Sequence, residues 1–217
     1  MNKQALLQQL SWPDAFADFE AQPAPTPTPW HFDHAFLERV YRHCPQPQLL
    51  VEVGSWMGRS AIEASLFYLS QLGWREFTLI CVDTWLGSTE HWLRPQAEAV
   101  LHPAHGYPQI YQQFLSQVTL AGVSDYILPL PQTSANGAHI IEALQLQPDW
   151  VYLDASHYTS DVLLDMDLYW PLVRPGGVLF GDDWNWPSVR QAVQEYCEIY
   201  GLKYTHSHYS WAIFKGH

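Results

Sequence analysis

At 217 residues, with 47% hydrophobic and 15% aromatic residues, the chain can bury the core of one α/β domain and still carry an appendage. Its 10 basic against 22 acidic residues leave a net charge of −12. Such a surface repels phosphate backbones and anionic lipid, and the Arg and Lys are scattered, so neither nucleic acid nor membrane is an expected partner.

Residues 1 to about 20 carry a helical pattern, with Leu6, Leu7 and Leu10 apolar and a break at Pro13. Alternating prolines from Pro23 to Pro29 then favour an extended, semi-rigid tether. Residues 1–30 therefore read as an N-terminal extension, packed on the domain or used for homo-oligomer formation, and 31–217 as the domain proper. Within it, a helix over Asp33 to His43 leads to an apolar run, Leu49 to Val53, that ends in a turn with Gly54 and Gly58. A helix follows, with Ile62, Leu66, Leu69 and Leu72 as its expected buried stripe. Phe77 to Val82 is a second strand ending at Asp83. Residues 86–106 are rich in His, Pro and Gly and too long for an ordinary connection, so they read as a lid or substrate loop.

Ile110, Phe114 and Val118 mark the next helix, Tyr126 to Leu130 a third strand, and Ala138 to Leu144 a short helix. A fourth strand, Trp150 to Leu153, reaches Asp154. A helix with Val162, Met166, Tyr169 and Val173 on one face follows it. Pro175-Gly176-Gly177 turns into a fifth strand that ends at Asp182-Asp183. Pro187 opens a helix with stripe Val189, Val193, Cys197 and Tyr200, and the tail reads as two antiparallel closing strands. Strand and helix alternate, which predicts a parallel sheet. Cys44, Cys81 and Cys197 are far apart and lack metal spacing. With no signal pattern and no apolar run long enough for a bilayer, they read as reduced thiols of a soluble cytoplasmic protein.

Glu52, Asp83, Asp154, Asp182 and Asp183 all fall at or just past the C-terminal ends of predicted parallel strands, the edge where open α/β sheets bind ligands. Asp83, about thirty residues after Gly54, can accept both hydroxyls of a ribose. Thr84 follows it, and Trp85 is either a stacking surface or a core aromatic. Ser60 is either a donor to a carboxylate or an ordinary helix-start hydroxyl. Asp154 with Asp182 and Asp183 offers three oxygen donors to a hard cation such as Mg²⁺. His157 is a proton acceptor or a helix-start histidine bonded to backbone. The histidines His91, His102 and His105 read as solvated loop residues.

Four blocks occur in a telling order: Glu52-Val53-Gly54-Ser55-Trp56-Met57-Gly58-Arg59-Ser60, Val82-Asp83-Thr84-Trp85, Tyr152-Leu153-Asp154-Ala155-Ser156-His157, and Pro175-Gly176-Gly177 through Asp182-Asp183-Trp184. Together they resemble the class I S-adenosylmethionine-dependent methyltransferases, in the branch where the fourth strand ends in Asp-x-x-His, over about residues 33 to 215. The resemblance implies a Rossmann-like α/β sandwich on a mostly parallel seven-stranded sheet of order 3-2-1-4-5-7-6, the last strand antiparallel. It also implies that Glu52, Gly54, Ser55 and Gly58 border the methionine part of the cofactor. Asp83 would hold its ribose, and Trp85 and Ser134 would lie near its adenine. Related metal-dependent sugar O-methyltransferases bind Mg²⁺ through aspartates like Asp154, Asp182 and Asp183. They carry an aspartate as base where this chain has Ser156, which leaves His157 as the substitute.

The expected reaction is thus Mg²⁺-assisted O-methylation of a small hydroxylated acceptor such as a sugar, with His157 and Asp154 catalytic. A nicotinamide-dependent oxidoreductase ranks behind it, because Trp56 stands where the second glycine of Gly-x-Gly-x-x-Gly would be. A non-catalytic cofactor-binding or scaffolding domain is the third reading.

Overall fold

The computed structural model describes residues 2–22, 33–93, 95 and 97–216. The proline run 23–29 lies outside the described residues. Five strands that feed helices form the parallel part of the sheet: β1 (Leu49–Val53), β2 (Thr78–Asp83), β3 (Ile127–Pro131), β4 (Trp150–Leu153) and β5 (Val178–Gly181). Two closing strands follow, β6 (Tyr204–His206) and β7 (Trp211–Phe214), and the spatial order is β3-β2-β1-β4-β5-β7-β6. β7 runs antiparallel to both β5 and β6. The order and the single reversed strand agree with the expected topology.

Side chains alternate across the sheet. Leu49, Val51 and Val53 pack on one face with α7 (Ser134–Ala143), α8 (Thr159–Tyr169) and α9 (Pro187–Tyr200). Leu50, Cys81, Tyr152 and Phe180 pack on the other with α2 (His34–His43), α3 (Arg59–Leu66) and α6 (Ile110–Leu120). The β4 and β5 positions are buried on both faces, which explains their continuous apolar runs. β3 lies at the sheet edge, where Pro129 and Pro131 withhold backbone donors from any further strand.

Helical faces follow the sequence in part. Val162, Met166, Tyr169 and Val173 are buried as expected, and so are Ile110, Phe114 and Val118. On α3 the expected stripe holds in part, with Ile62, Leu69 and Leu72 half-buried against the core. Leu66 is exposed, and the buried positions are Ala61, Ala64 and Ser65, followed by Tyr68 in a π-helical turn over Phe67–Gln71. Small residues at i, i+3 and i+4 let α3 approach the sheet closely, which leaves the bulky Leu66 at the rim. On α9, Tyr196 is buried and Tyr200 exposed. α7 begins four residues before the expected start because the Thr133 hydroxyl caps it, accepting from the Asn136 amide at 3.2 Å. The segment 86–106 is less irregular than expected, since it contains the short helices α4 (Thr89–Trp92) and α5 (Ala97–Leu101).

The N-terminal segment is part of this packing. Leu6 and Leu7 of α1 (Lys3–Leu10) are buried with the α7–α9 layer, while Phe16 and Phe19 pack against the opposite layer. Lys3 is buried too, its ammonium donating to Asp14 at 2.7 Å and to the Ser124 carbonyl at 2.9 Å. The apolar face that could have served self-association is thus covered by the chain's own domain. Leu6→Ala is expected to cost about 2–5 kcal/mol of stability by urea unfolding, with no change in elution volume on gel filtration. A changed elution volume at unchanged stability would assign the helix to an oligomer instead.

Candidate active site

The ends of β1, β2, β4 and β5 open on a cavity of about 660 Å³. Its β1–β2 side is built on the turn after β1. Gly54 and Gly58 both have φ near +90°, at 89° and 87°. The close approaches they permit are internal. A Cβ at Gly54 would lie 2.1 Å from the Asp154 carbonyl oxygen, and one at Gly58 would meet the Phe114 ring at 2.9 Å. The turn is therefore seated directly on the end of β4 and on α6, where no side chain fits.

Two carboxylates fix the turn from below and from the side. Glu52 points to the α3 side of the sheet and is 1% exposed. It accepts hydrogen bonds from the hydroxyls of Ser55, at 2.9 Å, and Ser60, so Ser60 is a donor to a carboxylate. Glu52 thus supports the turn and does not line the cavity, whereas Gly54, Ser55 and Ser60 do. Burial pushes its carboxyl up to about 7 against the pull of the two hydroxyls. Asp83 does line the cavity. Its two oxygens accept the backbone N–H of Trp56 at 2.8 Å and of Trp85 at 2.7 Å. Burial raises its pKa, opposed by these backbone donors.

Trp85 is the expectation that the structure corrects. It is 1% exposed, packed on Tyr111 and Phe114 at ring distances of 4.8 and 5.0 Å, with its indole N–H donated to the Trp56 carbonyl at 2.7 Å. It is a core aromatic. Thr84 and Ser134 lie in the cavity wall. The Ser134 hydroxyl donates to Asp165 of α8, a buried carboxyl raised to about 6 by desolvation.

On the β4–β5 side the cavity meets Asp154, His157, Asp182 and Asp183. Asp154 is driven well above the usual carboxylate range by desolvation and then by the neighbouring charges of Asp182 and Asp183. Asp182 accepts the Ser210 hydroxyl at 2.8 Å. Asp183, in a left-handed conformation with φ 60°, faces His157 Nε2 at 2.7 Å. The imidazole stacks on Trp186 at 4.4 Å and 21°. Its pKa is raised by the bond to Asp183, against desolvation. The expected Mg²⁺ site is not assembled: among the described residues no group of three or more His, Cys, Asp or Glu is placed to hold a metal ion. One oxygen of Asp182 accepts from Ser210, and one oxygen of Asp183 is engaged by His157.

Several wall residues carried no sequence signal for this role. Glu90 and His91 of α4 close over the cavity. Glu90 Oε1 lies 3.8 Å from His157 Nδ1, and the His91 ring stacks on Trp56 at 4.2 Å and 13°. Asn185, Trp186 and Tyr209 complete the wall beside β5. The Pro187 helix-start signal marks the end of the Asn185–Trp186 segment, but nothing in its spacing shows which way Trp186 faces.

Residues 51–184 match the family described as a methyltransferase domain. No curated protein matches the chain. Among solved structures, the calicheamicin methyltransferase CalS11 superposes with a TM-score of 0.60 at 14% identity, over 84% of this chain and 78% of that one. Another structure of CalS11 describes it as a TDP-rhamnose 3'-O-methyltransferase. The O-methyltransferase TomG from Streptomyces achromogenes, in complex with SAM, gives 0.56 at 14% identity over 97% and 86%. An O-methyltransferase from Bacillus cereus in complex with SAH gives 0.55 at 15% over 98% and 90%. The chain belongs to this methyltransferase family, and the nicotinamide reading falls.

Glu52 supplies a stability test. Its carboxyl is raised from 4.5 to about 7 on folding, so the folded chain keeps a proton that the unfolded chain has released. That contribution is full below about pH 4.5 and is lost as pH rises through about 7. Relative to Glu52→Gln, the wild type should lose on the order of 3 kcal/mol at most between about pH 5 and about pH 8 in urea melts. A difference independent of pH would contradict the burial of an ionisable Glu52.

Proposed function

We propose that this methyltransferase moves a methyl group from S-adenosylmethionine to a hydroxyl group of a small molecule, with His157 as proton acceptor. One observation carries the reading: His157, held by Asp183 at 2.7 Å, shares one cavity with Asp83 and the Gly54 turn. The donor supplies a methyl group already activated on a sulfonium, which leaves the protein to align the reactants and deprotonate the acceptor.

The residues fit such a donor. Asp83, held by the Trp56 and Trp85 amides in the cavity wall, is the carboxylate placed to accept from the ribose hydroxyls. Gly54, Ser55 and Ser60 border the methionine end, while Thr84 and Ser134 flank the adenine. Solved structures with this fold include O-methyltransferases bound to SAM and to SAH, which supports the choice. Asp183 orients the imidazole so that Nε2 keeps its hydrogen and Nδ1 offers the lone pair, and it stabilises the imidazolium formed when the acceptor loses its proton. Asp154 stands beside the reaction as a carboxyl whose charged form is disfavoured. Helix α4, through Glu90 and His91, forms part of the wall around the acceptor. No step is assigned to Mg²⁺, because the three aspartates as placed do not form its ligand set.

We take residues 2–22 as part of the catalytic unit. Cytoplasmic work agrees with three free buried thiols, and no helix among the described residues is long and apolar enough to cross a membrane.

The test is a screen of hydroxylated small molecules read by release of S-adenosylhomocysteine. His157→Ala should lower turnover about 10²–10⁴-fold while S-adenosylhomocysteine binds as tightly as before. Full turnover by the variant would remove His157 from the chemistry. Turnover should also survive EDTA; loss restored by MgCl₂ would return Asp154, Asp182 and Asp183 to a metal.

A further inference from the structure

The wall that carries Ser134 also holds a carboxylate to which the proposed reaction gives no task. Asp165 of α8 is 7% exposed and lines the cavity. Its Oδ1 accepts the hydroxyl of Ser134, at the start of α7. One turn further along α8, the Tyr169 hydroxyl donates to the Ser134 carbonyl at 2.9 Å. The two helices are clamped at this point, so α7 as well as α8 fixes where Asp165 stands. Its Oδ2 is different: among the described residues nothing donates to it. Other carboxylates of the wall are better supplied. Asp83 takes an amide on each oxygen, and Asp161, one turn before Asp165, accepts Ser156 at 2.7 Å and Ser160 at 3.1 Å on separate oxygens. A carboxylate largely removed from water and short of a donor costs free energy. Because Asp165 borders the cavity, a ligand can supply the donor it lacks.

We propose that Asp165 reads the base of the methyl donor: its Oδ2 accepts a hydrogen from the exocyclic amine of the adenine, and the site thereby selects a 6-aminopurine over a 6-oxopurine. The placement follows from the strand order. Asp83, at the end of β2, is the ribose acceptor, and β3 is the next strand outward. A base attached to that ribose lies against the residues that follow β3, and among these Ser134 is bonded to Asp165. Leu164, beside Asp165 on α8, offers an apolar surface to the flat ring in the same wall. Burial raises the Asp165 carboxyl to about 6, so above that pH it is charged and can only accept. An amine presents hydrogens to it. A 6-oxo group puts a carbonyl oxygen in the same place, and two acceptors then face each other with no hydrogen between them. The contact is remote from the sulfonium, so it governs which nucleoside is held and not the methyl transfer itself.

This inference rests on the proposed function, and its test separates the two. Calorimetry first titrates the wild type with S-adenosylhomocysteine; failure to bind removes the proposed function. The second ligand is S-inosylhomocysteine, the same molecule with the amine replaced by a carbonyl. The wild type should bind it at least about tenfold more weakly, the size of one hydrogen bond to a charged group. Asp165→Asn keeps an acceptor for the Ser134 hydroxyl and can turn its amide nitrogen toward the carbonyl of the base. Its preference should therefore fall below about threefold. Asp165→Ala should lose affinity for S-adenosylhomocysteine by about tenfold or more and bind S-inosylhomocysteine no more weakly than the wild type does. Equal affinity of the wild type for the two ligands would overturn the assignment and leave the proposed function in place. So would a full preference that survives in Asp165→Asn, or equal weakening of both ligands in Asp165→Ala, the mark of a purely structural carboxylate.

Discussion

Asp83 holds the ends of β1 and β2 together, and the site depends on it. Its oxygens take the amides of Trp56 and Trp85, and the Trp85 indole returns a hydrogen bond to the Trp56 carbonyl, closing a ring of contacts across two loops. Both tryptophans sit at positive φ, 46° and 54°, where a side chain is strained by about 1–3 kcal/mol. The carboxylate and the indole bond hold them there. The result divides the two indoles: Trp85 fills the core, and Trp56 faces the cavity, where the His91 ring stacks on it. Helix α4 is therefore anchored to the turn after β1.

A second constraint is the burial of negative charge. Glu52, Asp83, Asp154 and Asp182 are all raised above their ordinary values chiefly by desolvation. Three of them are met by different donors. Glu52 gathers two hydroxyls, Asp83 two amides, and Asp182 the Ser210 hydroxyl. Asp183, beside them, is engaged by His157 Nε2 at 2.7 Å.

The sheet was legible because its signals are periodic and local. Apolar runs ending in Asp83, Asp154 and Asp182 placed the strand ends, and the tail was short enough to read as closing strands. What escaped was set by packing. The buried face of α3 is made of Ala61, Ala64 and Ser65, whose small size carries no hydrophobic signal although it governs how closely the helix lies on the sheet. Trp85 and Trp56 look alike in sequence, and only the bond between them decides which is core. Glu90 comes from a segment that reads as loop, and its approach to His157 depends on a tertiary fold-back that spacing does not encode. Asp183 was expected at a metal because three strand-end aspartates suggest one; its engagement by His157 requires the histidine to turn back toward β5.

The central claim is that one cavity, with Asp83 at its donor end, binds the methyl donor. Calorimetric titration of S-adenosylhomocysteine into the wild type and into Asp83→Ala tests it most directly. The account predicts saturable one-to-one binding by the wild type and its loss in the variant. Equal affinity in the two proteins would contradict it.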